Sequence, residues 1–290
     1  MSRSIGVVHL TDTHVPSRSD PEARAHALLS LDRVLDSLAA RDDLDLVVVS
    51  GDISDDGSES GSDAVRTRIE RFASAQGLAR VFAPGNSDAR EVFVAVFGSG
   101  HRDASGADVA IAQLDEAKGG AVSVHDGLRV VTLDSAVPGH LHGELSDEQL
   151  SWLAKVLTSP APQGTLLVLH HPPLELEFDT FLSSVALRSP ESLAAVIAST
   201  DVRAVLTGHF HAQAVGFLGT IPVWVSPAVE SRVDLAAPPG TLRFVDDPGA
   251  SLIRLPHGGA PLFATVHAHE ARRVMRTVDL STPRTIPHSH

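Results

Sequence analysis

Six short apolar runs set the strongest limit on how this chain can fold: "IGVVHL" (5–10), "LDLVVVS" (44–50), "ARVFAPG" (79–85), "LRVVTLD" (128–134), "TLLVLHH" (165–171) and "VRAVLTG" (202–208). They are rich in valine and leucine and lack the apolar–polar alternation of a strand with one wet face. Runs of this kind are expected as strands buried on both faces. Helical patterns fill several of the gaps. In "PEARAHALLSLDRVLDSLAAR" (21–41), Leu28, Leu31, Leu35 and Leu38 form one stripe, and "SDAVRTRIERFASAQ" (62–76) is amphipathic. "SDEQLSWLAKVLTS" (146–159) opens with Ser146 and Gln149 at capping-box spacing. "SPESLAAVIAS" (189–199) opens with serine and proline, a favourable helix start.

Beyond residue 208 the pattern changes. "AQAVGFLGTIPVWVSPAV" (212–229), "GTLRFVDD" (240–247) and "ASLIRLPHGGAPLFATVHA" (250–268) predict consecutive antiparallel strands with Gly and Pro turns. A βα-alternating first part and a strand-rich second part imply an α/β chain with two sheets and helices outside. A single domain over 1–280 is expected, with a loosely ordered tail at 281–290.

Composition narrows the chemistry. The 290 residues are 43% hydrophobic, enough for a large core. There is no cysteine, which rules out disulfides and thiolate metal sites. The formal net charge of −13 argues against gripping long nucleic acid by bulk attraction. "MSRSIGVVHL" carries no signal-peptide core, and its apolar run is too short to span a bilayer. The expectation is a cytoplasmic protein without a membrane partner.

Several strands end in a side chain that binds metal. "TDTH" gives Asp12 and His14, "SGD" gives Asp52, "PGN" gives Asn86, "LHH" gives His170, and "GHFH" gives His209 and His211. In α/β sheets the pocket lies outside the carboxyl ends of the strands, so seven candidate ligands should arrive at one edge. Alternate residues of an extended chain share a face, so D-x-H and H-x-H should each aim two side chains together. Glycines before Asp52, Asn86 and His209 permit tight turns and close backbone approach. Taken singly, GD and GN are ordinary turns, D-x-H is often a cap, and strand-end histidines are often structural. The ordered set is hard to reach by accident, and it points to His209 and His211 each holding one of two ions.

This set resembles the calcineurin-like metallophosphoesterases, and within them the class III cyclic nucleotide phosphodiesterases. "LDSAVPGHLHGELSDEQLSWL" (133–153) and "LVLHHPP" (167–173) extend the similarity, which covers roughly residues 4–230. The resemblance implies a four-layer αββα sandwich of two mixed β-sheets flanked by helices, and a homodimer. It implies one metal held by Asp12, His14, Asp52 and His211. The other would take Asp52, Asn86, His170 and His209, with Asp52 bridging. The substrate would be a cyclic nucleotide or another small phosphodiester, attacked in line by a metal-bridging hydroxide. His14, Asp52, Asn86, Ser87 and His211 would surround its phosphate. Two divalent ions roughly 3.5–4 Å apart can bind phosphate oxygens, lower the pKa of water and stabilise the in-line transition state. Imidazole and carboxylate donors suit Mn, Fe, Co or Zn.

The chain departs from the family pattern in "PGNSDAR" (84–90), where Ser87 stands in place of the usual histidine and Asp88 is kept. A hydroxyl donates a hydrogen bond but is a poor proton donor near neutral pH. Asn86, Ser87 and Asp88 are therefore catalytic candidates with open roles. Ser87 either binds phosphate while another histidine or water supplies the proton, or the site favours better leaving groups. Alternatively Ser87 or Asp88 caps the helix that begins there, with Glu91 in its first turn. His140 and His142 of "PGHLHGE" (138–144) are candidate substitute acids, with loop packing as the rival reading; His171 reads as structural. Two other functions remain in view. A broad phosphomonoesterase is disfavoured because "GDISDDGS" (51–58) carries aspartates where serine/threonine phosphatases carry arginine, and the absence of tyrosine excludes the purple acid branch. A metal-binding scaffold with little activity is the second.

Overall fold

The uninterrupted apolar runs are strands, and both of their faces are covered. The computed structural model describes residues 4–114, 119–177, 179–238 and 240–268, so the expectation for the tail at 281–290 lies outside the described residues. In chain order the elements begin β1 (Ile5–Leu10), α1 (Pro21–Leu38), β2 (Leu46–Ser50), α2 (Glu59–Gln76), β3 (Ala79–Ala83), α3 (Arg90–Phe97), β4 (His101–Arg102), β5 (Ala112–Gln113), β6 (Gly120–His125) and β7 (Leu128–Leu133). They continue α4 (Asp147–Val156), β8 (Thr165–Val168), α5 (Thr180–Ser184), α6 (Pro190–Ile197), β9 (Val202–Thr207), β10 (Ala214–Leu218), β11 (Ile221–Val225), β12 (Arg232–Val233), β13 (Phe244–Val245), β14 (Gly249–Leu255) and β15 (Leu262–His267).

One sheet runs β15-β14-β1-β2-β3-β4 and the other β10-β11-β9-β8-β7-β6-β5. Both are mixed. β1, β2 and β3 are parallel, as are β7, β8, β9 and β11, while the outer strands pair antiparallel. The late strands are not one antiparallel set as their sequence predicts. β10 and β11 extend the second sheet, whereas β14 and β15 return to pair with β1 of the first. Alternation identifies a strand but carries no information about which sheet it joins.

Side-chain direction explains the missing alternation. Val7, Val48 and Val81 face inward to meet Val130, Leu166, Val168 and Leu206 of the other sheet. Their neighbours Val8, Val47 and Val49 face outward beneath Leu31, Leu35 and Leu38 of α1 and Val65, Ile69 and Phe72 of α2. On the far side, Leu153 of α4 with Leu193 and Ile197 of α6 covers Val131, Leu167 and Val205. The result is helix, sheet, sheet, helix. Each fully buried leucine or valine contributes about 2 kcal/mol, so three apolar interfaces supply most of the hydrophobic driving force.

The helix ends follow local chemistry. Ser146 and Gln149 form the reciprocal capping box at the start of α4. Asp20 caps α1 through the Ala23 N–H, and α2 stops at Gly77 in the left-handed region. At α3 the expected cap is absent: the N-cap is Ala89, with no side-chain bond. Ser87 and Asp88 are engaged elsewhere, as described next.

Candidate metal centre

All the candidate ligands follow the carboxyl ends of parallel strands: Asp12 and His14 after β1, Asp52 after β2, Asn86 after β3, His170 after β8, and His209 and His211 after β9. Their local geometry is not the extended one that spacing alone predicts. Eight non-glycine residues among those described have positive φ, and five are Asp12 (54°), His14 (40°), Asp52 (46°), His209 (70°) and His211 (50°). Paired side chains therefore converge through left-handed turns, not through strand alternation. Each such turn costs about 1 kcal/mol, least for Asp and for His, which tolerate this region better than most residues. Backbone bonds hold the turns in place: the Asp12 N–H donates to Gly51 O and the His14 N–H to Asp52 O, both at 3.0 Å. The β1–β2 pairing thus continues past the strands into the site.

Two glycines are required by proximity. A Cβ on Gly208 would lie 1.8 Å from Thr11 Oγ1 and 2.5 Å from Asp12 Oδ2. One on Gly85 would lie 2.2 Å from the Asp52 nitrogen. Only a bare backbone lets these loops approach the carboxylates.

The donors gather in two groups, Asp12, His14 and His211 in one and Asp52, His170 and His209 in the other, with the ligand atoms of each group within 4.8 Å of one another. Asp52 stands between them. Its Oδ2 is 3.5 Å from His14 Nε2 and 3.3 Å from His170 Nε2, the placement a bridging carboxylate needs. Asn86 lies on the adjoining loop, between Gly85 and Ser87, whose N–H donates to Asp52 Oδ1 at 2.8 Å. Asp12 is fully buried, and its carboxylate accepts the His209 N–H at 2.9 Å.

The ring nitrogens outside the cage fix the imidazole tautomers. His170 Nδ1 sits 2.8 Å from the Ser50 carbonyl, and His211 Nδ1 sits 3.2 Å from the Ser231 carbonyl and 3.1 Å from its Oγ. A carbonyl only accepts, so each Nδ1 carries the proton and each Nε2 offers a lone pair to the cage. His14 Nδ1 is held likewise by Asp55 at 2.9 Å.

Two observations test whether cations fit. Buried Asn86 Oδ1, which can only accept, has no hydrogen-bond partner, and His209 Nδ1 lies 3.2 Å from His170 Nε2, two ring nitrogens that need a proton or a cation between them. The electrostatics agree. Burial alone would lower the His14 pKa, but the Asp55 hydrogen bond and the charges of Asp52 and Asp12 raise it to about 9. For His170, burial is likewise outweighed by Asp52, and its pKa rises to about 9. Burial opposes ionisation of Asp52, yet the charge of His170 holds it well below the usual carboxylate range. A cage that retains protons against burial is strongly cation-attracting. Its imidazole–carboxylate–amide donor set suits two divalent ions.

Ser87 and Asp88 are positioning groups in this arrangement. The Ser87 hydroxyl donates to the Ser54 carbonyl at 2.6 Å. The Asp88 carboxylate accepts from the Ile53, Ser54 and Gly85 N–H groups at 2.9–3.1 Å, tying the loop after β2 to the loop after β3. Loss of water raises the Asp88 pKa to about 6, with the charge of Asp52 adding and the three N–H groups opposing. The capping role expected for either residue is therefore replaced by loop-to-loop bonding. Farther out, the His140 and His142 rings face each other at 4.7 Å and His142 lies 3.7 Å from Glu144. From Gly143 the contact runs through His171, whose ring is 4.4 Å from that of His209. His171 is structural here: its Nδ1 meets Ser135 Oγ at 2.8 Å.

Asp55 and Ser231, which orient two of the imidazoles, escape a reading of the sequence. Asp55 is one of several aspartates in "GDISDDGS", and Ser231 lies 20 positions from His211 with no spacing signal.

The fold and cage together define a dinuclear phosphoesterase. The chain belongs to the calcineurin-like phosphoesterase family, whose profile matches residues 5–213. It is 34% identical over 271 residues to the Rhodococcus erythropolis protein named "Probable cyclic nucleotide phosphodiesterase", covering 91% of this chain and 86% of that one. It is 35% identical over 260 residues to a cAMP/cGMP dual specificity phosphodiesterase of Mycobacterium tuberculosis, covering 87% of this chain and 75% of that one. In fold it is similar to a dimetal phosphatase from Danio rerio, with a TM-score of 0.57 at 15% identity over 92% of this chain and 100% of that one. Among the described residues, no helix is long and apolar enough to cross a membrane.

Proposed function

We propose that this protein hydrolyses cyclic nucleotides, and other small phosphodiesters, at two divalent ions of manganese, iron or zinc. The observation that carries this reading is Asp52, placed between two groups of donors that meet from different sheets. Asp12, His14, Asp52 and His211 would hold one ion, and Asp52, Asn86, His170 and His209 the other. When bound, the ions supply Lewis-acid charge for the phosphate oxygens and water of lowered pKa for in-line attack. The chain's own contribution is orientation. The His209 and Ser87 N–H groups aim the two carboxylates, and Ser50, Asp55 and Ser231 aim the imidazoles. Of the ligands that would face the phosphate, His14, Asp52 and His211 are held by these bonds before substrate arrives, and Asn86 would join them.

The leaving oxygen also needs a proton. Ser87 already donates its hydroxyl proton to Ser54, so water or another histidine such as His142 supplies it. This favours substrates whose leaving groups need little acid help. The reading includes one catalytic domain over residues 1–280, a cytoplasmic location suited to a chain without cysteine, and a homodimer; exposed Val215, Phe217 and Leu262 on the outer strands support self-association.

The decisive experiment pairs elemental analysis with turnover of adenosine 3′,5′-cyclic monophosphate in added Mn²⁺. Asp52→Ala is expected to lose most of its bound metal and at least about 100-fold in rate. Wild-type protein that carries metal and turns over no phosphodiester would overturn the assignment and leave the scaffold reading.

A further inference from the structure

A cavity of about 630 Å³ opens beside the metal cage, with the cage residues His14 and His211 in its wall. Two features of that wall have no role in holding metal. The first is Phe244 of β13, which is 52% exposed and presents its ring edge-on to His211 at 5.5 Å and 84°. The second is a polar strip from the first turns of α1 and the loop after β11, comprising Glu22, His26 and Glu230. His26 Nε2 and Glu230 Oε1 are 3.9 Å apart.

The chain fixes Phe244 relative to the cage. β12 pairs with β13 so that Val233 lies opposite Phe244. The Val233 N–H donates to the His211 carbonyl at 2.7 Å, and Arg232 pairs with Asp247 at 2.6 Å to close the ribbon. The same short segment thus holds the His211 ring through Ser231 and carries the aromatic side chain next to it. A half-exposed phenylalanine costs free energy in water, and its hydrophobic face gains it back when a flat ligand covers it.

We propose that this cavity receives the purine base of the cyclic nucleotide, with Phe244 stacking on the ring and Glu230 accepting from its exocyclic amino group. The inference rests on the phosphodiesterase reading and extends it to substrate choice. With the phosphate at the cage, the sugar spans to a cavity that shares His14 and His211 with it. The carboxylates of Glu22 and Glu230 can only accept hydrogen bonds when ionised, which matches an amino group. They also repel further phosphates, so the subsite takes a mononucleotide and not a polyphosphate chain.

The test reads binding as well as rate. The probes are a hydrolysis-resistant phosphorothioate analogue of adenosine 3′,5′-cyclic monophosphate and the base-free 1-deoxyribose 3′,5′-cyclic phosphate, both titrated calorimetrically into metal-loaded protein. Phe244→Ala should weaken nucleotide binding about tenfold, the loss expected for one base–aromatic stack, and leave the base-free phosphate unchanged. Phe244→Tyr should restore the affinity. In turnover the Phe244→Ala loss should fall on KM, with kcat changed less than about twofold. Glu230→Gln should reduce the preference for adenine over hypoxanthine cyclic nucleotide. Equal loss for both probes, or no loss for either, overturns the proposal. The failures separate cleanly. Wild-type protein that binds the analogue better than the base-free phosphate but cleaves neither adenosine 3′,5′-cyclic monophosphate nor the base-free ester keeps the base subsite and sinks the activity. Protein that cleaves both of those esters but binds the analogue and the base-free phosphate equally does the reverse.

Discussion

His14 and His211, 197 positions apart in the chain, bring their Nε2 atoms to 3.0 Å. Both rings donate from Nδ1 to oxygen acceptors, so the gap between the two Nε2 atoms must hold either the proton that His14 keeps up to about pH 9 or a cation. Neutral imidazoles do not rest in this way without a proton or a cation between them. The arrangement is sustained from outside the cage, by Asp55 for one ring and by Ser231 for the other. Asp55→Ala should therefore weaken cation binding about 10- to 100-fold, the usual effect of removing a group that orients a ligand. Ser231→Ala should cost less, because the Ser231 carbonyl remains as an acceptor. Calorimetric titration of Mn²⁺ into metal-free protein checks the order, and equal affinities in all three proteins would contradict it.

Gly208→Ala should destroy the centre although it changes no ligand. The added methyl would meet Thr11 Oγ1 and Asp12 Oδ2 well inside contact distance, so the loop after β9 must move off the Asp12 carboxylate. The expected cost is about 3 kcal/mol in stability, with metal content lost in parallel. Denaturant melts and elemental analysis read both, and a variant that keeps full metal occupancy would refute the close approach.

Ser87 offers a two-way test. Ser87→Ala removes only the bond to Ser54, so metal content should hold and stability should fall by about 1 kcal/mol. Ser87→His restores the residue usual in the family at this place. It should raise turnover of cyclic nucleotides, whose alkoxide leaving groups need a proton, more than turnover of 4-nitrophenyl esters, whose leaving groups do not. A uniform change across both substrates would argue against a missing acid.

Far from the cage, His101 sits fully buried between the sheets, with Nδ1 2.6 Å from Ser123 Oγ and Nε2 2.9 Å from Thr132 Oγ1. Burial, helped by nearby His125 and opposed by Asp108, lowers its pKa to about 3. The unfolded chain takes up a proton here near pH 6.5 and the folded chain only near pH 3, so stability falls as pH drops between those values. The slope from this group is about 1.4 kcal/mol per pH unit. Between pH 7 and pH 5, His101→Gln should lose about 2 kcal/mol less than the wild type. Identical losses in the two proteins would remove His101 as the cause.

Much of this was legible in the sequence because burial on both faces writes a plain signal. Runs such as "LDLVVVS" and "TLLVLHH" became central strands with ends two or three residues inside the apolar run, and the glycines before Asp52, Asn86 and His209 marked the close approaches. What stayed hidden has physical reasons. β4 and β6 carry His101 and Ser123 at buried positions, so the apolar pattern breaks where a hydrogen-bonded polar pair replaces it. Left-handed turns at Asp12, His14, His209 and His211 are imposed by tertiary bonds, and no spacing rule for extended chain foresees them. Apart from the Gly85 N–H, the partners of Ser87 and Asp88 lie more than 30 positions away, so local cap propensity gave the wrong role.

The candidate donors Asp12, His14 and Asp52 follow strands of one sheet, and His170, His209 and His211 follow strands of the other. A pair of ions bound there would work as a rivet through the middle of the sandwich. Sliding one layer against the other would draw the donors of each group apart. Occupancy of this centre should therefore gauge how well the two halves are seated.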